Sequence, residues 1–178
     1  GDIFIASGEN TIGKSGDIKL EVGDAHGNKN AGHITLFAGT AYGNTDSTGG
    51  SISIRSGYSS IRSSGSIFLR TLNAGTTGVS GELTFSTGTS SSGSSGSISI
   101  GTGSASGGKG GDITIKVGDG NTLDGGHLSL FAGNTYGDTS ATGGSISILS
   151  GYGSIRSSGS IFLRTLNAGT TGVSGELT

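Results

Sequence analysis

The chain has 178 residues, of which 39 are Gly and more than half are Gly, Ser or Thr, while Pro, Cys, Met and Trp are absent and only 12% are charged. A formal net charge of -2 and a pI near 5.8 offer no basic footprint for nucleic acid or an anionic membrane surface, and no apolar run is long enough to span a bilayer. Without Cys there is neither a disulfide framework nor a thiolate metal site.

So polar a composition belongs to a disordered or a repetitive chain, and the regular recurrence of Ile and Leu selects a repeat. The repeated phrase is a Gly, a polar residue, an aliphatic residue, any residue and a second apolar one. In chain order it reads GDIFI at Gly1, GDIKL at Gly16, GHITL at Gly32, GSISI at Gly50, GSIFL at Gly65 and GELTF at Gly81. The series then starts over, with GSISI at Gly96, GDITI at Gly111, GHLSL at Gly126, GSISI at Gly144, GSIFL at Gly159 and GELT at Gly175. Successive starts lie 15 to 18 residues apart, and six of these short units make one long unit of 94 or 95 residues. Residues 51–84 and 145–178 differ only at Arg55/Leu149 and Ser59/Gly153. The chain is therefore a duplicated array, with a first repeat over 1–95 and an incomplete second over 96–178.

Alternation of apolar and polar residues within each phrase is the period of a strand with one buried face. Numbered from the Gly, positions 3 and 5 are aliphatic, as in Ile18 and Leu20 or Ile52 and Ile54, and position 7 is small, as in Ser7, Val22 and Ala38. The seven to ten residues between phrases are too few for a crossover helix. These features predict an all-β chain, a parallel β-solenoid (β-helix) of about twelve rungs of 15–18 residues, running continuously through both repeats, with Ile and Leu stacked inward as ladders. Since Gly1 and Thr178 both fall within the repeat pattern, the chain reads as a piece of a longer array.

Several motifs resemble chemistry. GENTIGKS, Gly8 to Ser15, fits the phosphate-loop pattern at each fixed position, but a strand-forming phrase follows where a helix should, and the aligned GSASGGKG has Gly110 in place of Ser15. His33 and His127 follow Asp17 and Asp112 by one unit, which predicts a solvated Asp–His contact across the ladder and no catalytic pair, because no nucleophile is positioned beside it. Asp17 and Asp24 fall outside the calcium-binding nonapeptide pattern. An ice-binding rank of Thr at position 4 is interrupted by Phe4, Lys19, Phe68 and Phe162. The sequence thus predicts no catalytic residue, no cofactor, no metal and no N-glycosylation sequon. The outward aromatics Phe37 and Phe131, Phe68 and Phe162, and Tyr58 and Tyr152 recur once per long unit and are expected to act as lateral contacts.

At NAGTTGVSGELTFSTGTSSSGSSGSISIGTG, Asn73 to Gly103, the sequence resembles long Gly/Ser/Thr-rich repeat proteins of diatoms and related algae. The resemblance covers essentially the whole chain and transfers no catalytic residue. It implies a large secreted or cell-surface protein with a wall, matrix, adhesive or filament role. Together these readings predict a structural segment of an extracellular fibre or matrix that self-assembles into filaments or bundles, without nucleic acid or membrane partners. The alternative is a ligand-binding surface for ice or for polysaccharide, as in a glycan-binding adhesin.

Overall fold

Every phrase opens on glycine, and a close approach explains why. In the computed structural model, which describes residues 1–178 apart from 44, 45, 123, 138 and 139, the opening glycine of a phrase lies against position 7 of the phrase before it at the junctions inside each of two units, Gly1–Thr87 and Gly88–Thr178. A Cβ placed on Gly32 would stand 2.8 Å from Val22 Cγ1, and one on Gly126 would stand 2.6 Å from Val117 Cγ1. Valine is β-branched and has little freedom to turn away. The same approach recurs between Gly16 and Ser7, Gly50 and Ala38, Gly81 and Thr71, Gly111 and Thr102, and Gly175 and Thr165. At one of these junctions the Thr102 hydroxyl also donates to the Gly111 carbonyl at 3.2 Å.

At these junctions the pinch brings together the two ends of the segment between phrases. Four of the loops carry a backbone bond across the pinch. Gly50 N–H donates to Gly39 O at 2.8 Å, and Gly65 to Gly57, Gly144 to Gly133 and Gly159 to Gly151 do so at 2.9 Å. Loops of different length therefore close at one equivalent point. The chain divides into two units, Gly1–Thr87 and Gly88–Thr178, and pinched loops of this kind occur in both.

The parallel β-solenoid expected from the sequence is not formed. Among the described residues there is no helix and no β-strand, so the β-helix assignment, its twelve stacked rungs and the ladder stiffness that they would lend a rod all fall. A parallel ladder would join residues one unit apart, some 15–18 positions along the chain. The observed backbone bonds across the pinch join residues 8 or 11 apart and close a loop inside one unit. Five backbone-to-backbone hydrogen bonds exist among the described residues, where a globular fold makes roughly one hydrogen bond per residue.

The expected inward side chains are accordingly not buried. No described residue is buried, and the chain leaves 18201 Å² accessible, more than twice the ~7,800 Å² of a compact protein of this mass. The two-residue alternation nevertheless survives as a difference in cover. At position 3 Ile67 and Ile161 are 47% and 45% exposed, while the adjacent Phe68 and Phe162 at position 4 are 86% and 89% exposed. The first phrase shows no such contrast, with Ile3 and Phe4 both 90% exposed.

The pinch has a direct test. Gly50→Ala places a Cβ 3.0 Å from Gly39 N and 3.2 Å from Ala38 Cβ, whereas Gly49→Ala meets nothing closer than 3.8 Å. We expect Gly50→Ala to weaken the 39–50 closure by about 1 kcal/mol, seen as a roughly fivefold faster amide hydrogen exchange at residue 50. Gly49→Ala is expected to leave that exchange unchanged; equal effects of the two would remove the steric account.

Candidate functional site

Polar side chains complete the loops locally, which also decides the fate of the phosphate-loop pattern. In GENTIGKS the Asn10 side-chain carbonyl accepts from the backbone N–H groups of Ile12 and Gly13, both at 2.9 Å, while its amide donates to Lys14 O at 3.4 Å. Two of the N–H groups that would cradle a phosphate are thus taken by the loop's own asparagine. Lys14 turns to Asp17, with Nζ 2.9 Å from Oδ2. The equivalent pair in the second repeat, Lys109 and Asp112, has Nζ 2.8 Å from each carboxylate oxygen.

These pairs replace the Asp–His contacts expected between Asp17 and His33 and between Asp112 and His127. That expectation needed ladder neighbours. Lysine three residues upstream reaches the carboxylate without one. Further on, Lys19 pairs with Glu21, and where the aligned residues are Thr114 and Lys116, Lys116 instead approaches Asp119 at 3.8 Å. Both repeats therefore pair lysine and carboxylate near the same place with different residues. All of these side chains are exposed, so each pair contributes about 0–1 kcal/mol and screens readily with salt. No group of three or more His, Asp or Glu gathers among the described residues.

The loop at Ser59/Gly153, one of the two differences between the near-identical segments, closes in two ways. Ser59 Oγ accepts from Arg62 N–H at 2.9 Å. Its counterpart Gly153 has no hydroxyl, and Gly153 N–H donates instead to Ser158 Oγ at 3.3 Å.

The aromatic residues singled out as lateral contacts stand almost free of the chain. Phe37, Phe68, Phe131, Phe162, Tyr58 and Tyr152 are all between 86% and 89% exposed. They fall into two settings. The phenylalanines ride on the phrases, at positions 4 and 6, on the bare side of the alternation. Tyr58 and Tyr152 sit one residue past the pinch, in loops 57–65 and 151–159.

Two further aromatics belong with them and were not picked out from the pattern of the phrases. Tyr42 and Tyr136 lie in loops 39–50 and 133–144, are as exposed as the others, and are separated by the same 94 residues as Tyr58 and Tyr152. That matched spacing is the signal that finds them.

Replacing Asn10 tests the loop geometry. Asn10→Ala removes the acceptor shared by two amides, and we expect faster exchange at Ile12 and Gly13, by about fivefold to tenfold, with no change at Gly50. Unchanged exchange at Ile12 and Gly13 would show that the asparagine does not hold this turn. No protein-family model, curated protein or solved structure matches the chain.

Proposed function

We propose that the chain is a structural segment of a fibre or matrix protein at the cell surface or outside the cell, and that it acts by associating with further copies of itself. One observation carries the reading: the aliphatic residues of the phrases are exposed, from 45% at Ile161 to 90% at Ile3, and none of them is buried among the described residues. Apolar surface on that scale calls for a partner.

A second copy is the partner that fits. A surface repeated every 15–18 residues along one chain is repeated at the same spacing along its copy, so contacts too weak singly add in register. With a net charge of -2 over 178 residues, like-charge repulsion between copies is small. The bare phenylalanines lie beside the exposed aliphatics and would extend the same contact. The similarity to algal Gly/Ser/Thr-rich repeat proteins supports the placement outside the cell. Assembly in this reading joins phrases of different chains, each covering apolar surface of the other.

Sedimentation over a concentration series tests the proposal. The expected result is reversible growth in mass with concentration. The double variant Ile67→Ser, Ile161→Ser is expected to shift that growth to roughly tenfold higher concentration or more, each site losing about 1–2 kcal/mol of apolar burial. Ser53→Asp, in an exposed polar position, is expected to shift it little. A chain that stays monomeric at high concentration, yet is retained on insoluble polysaccharide, would overturn self-association in favour of a glycan-binding surface.

A further inference from the structure

The chain has no Cys, so disulfides cannot join its copies, and it has no Met or Trp, which leaves its four tyrosines as the side chains that most readily give up one electron. All four are open to solvent: Tyr42 is 95% exposed and Tyr136, the least exposed, is 86%. Their positions are not arbitrary. Each lies in one of the four loops closed by a backbone hydrogen bond across the pinch, at 39–50, 57–65, 133–144 and 151–159. Each is also next to glycine, with Gly43 after Tyr42, Gly57 before Tyr58, Gly137 after Tyr136, and Gly151 and Gly153 on either side of Tyr152. Glycine neighbours bring no side chain over the ring. At Tyr136 the phenol oxygen accepts from Asn134 Nδ2 at 3.0 Å, and the residue stays 86% exposed.

We propose that these tyrosines are oxidative coupling sites through which chains become covalently joined as dityrosine, an inference that rests on reading the chain as an assembling structural segment. The co-reactant is hydrogen peroxide, used by a peroxidase. The activated peroxidase takes one electron and the phenolic proton from each of two tyrosines. The two phenoxyl radicals join by a carbon–carbon bond between ring positions ortho to the oxygens, and the hydrogen on each of those carbons moves to oxygen as the rings regain aromaticity. Two hydrogens leave the tyrosine pair, and one peroxide is reduced to two waters. With four sites, one chain bonds to more than one neighbour, so coupling builds a network and does not stop at a pair.

The test treats the full chain with peroxidase and peroxide, at dilute and at high concentration, while sedimentation without oxidant reads assembly separately. The expected products are multimers larger than a dimer that survive denaturant, with dityrosine fluorescence and dityrosine recovered after hydrolysis. A chain keeping only Tyr58, made by Tyr42→Phe, Tyr136→Phe and Tyr152→Phe, is expected to stop at a covalent dimer. The variant with all four tyrosines replaced by Phe is expected to sediment as the parent does and to form no covalent multimer. Dityrosine found only within single chains, or equal multimers from the tyrosine-free variant, would overturn the proposal. A chain that assembles without coupling removes these sites alone. A chain that couples when concentrated but never sediments as an assembly leaves the sites standing and removes the structural-segment reading.

Discussion

The structure depends on one steric constraint, the seating of a phrase's opening glycine against position 7 of the preceding phrase. Where that position is Val22 or Val117 there is no room for a Cβ at all. Where it is Ala38 or Ala132, backbone joins backbone directly, through Gly50 to Gly39 and Gly144 to Gly133. Because closure happens at this point, residues inserted between phrases enlarge a loop without disturbing the next phrase. The longer loops 39–50 and 133–144 close with the same bond as the shorter 57–65 and 151–159. The spacing of phrases is irregular while the phrases themselves stay alike, and the pinch is the reason that both can hold.

The same constraint works against a ladder. The backbone bonds that form across the pinch lie within one unit, Gly50 to Gly39 and Gly65 to Gly57 among them, and none joins residues a whole unit apart among the described residues. Serines, asparagines and threonines reinforce this choice. Asn10, Ser59, Ser158 and Ser174 each bond a backbone N–H nearby in sequence, at 2.9 to 3.3 Å, and so satisfy groups that a sheet would otherwise recruit. These bonds are local and cost little ordering. A rung needs many residues fixed at once before its two aliphatic side chains gain anything.

What the sequence made legible follows from this division between local and non-local causes. Unit starts, duplication, the glycine at each phrase and the sidedness of each phrase are local properties, and each is visible in the residues alone. The sidedness survives in the structure as the contrast between Ile67 and Phe68, although no strand carries it. What covers the apolar side is a non-local matter. Alternation states that a face exists and is silent about whether the same chain supplies the opposite face. The ladder expectation also misdirected the charged residues, since it assigned Asp17 to His33, a unit away, when Lys14 stood three residues off. In GENTIGKS the residue that decides the loop is Asn10, which occupies a variable position of the phosphate-loop pattern. A pattern defined by its fixed positions does not register it.

The aromatic residues divide along the same line. Phenylalanines belong to the phrases, next to exposed aliphatics, and in the proposed association they would add apolar area to the same contact. Tyrosines belong to the pinned loops, where Gly57 and Gly151 flank the ring and no core claims it. Phenylalanine contributes area and no phenol chemistry, whereas tyrosine contributes a phenol that remains reactive only while it is uncovered. A tyrosine at position 4 of a phrase would lose that exposure on assembly, while one in a loop keeps it. Placing the two residue types in separate parts of each unit lets association and covalent coupling proceed without competing for the same surface. The duplication carries both sets forward together, Phe37 with Tyr42 and Phe131 with Tyr136, so that each copy of the long unit holds both kinds of aromatic residue that the two proposals require.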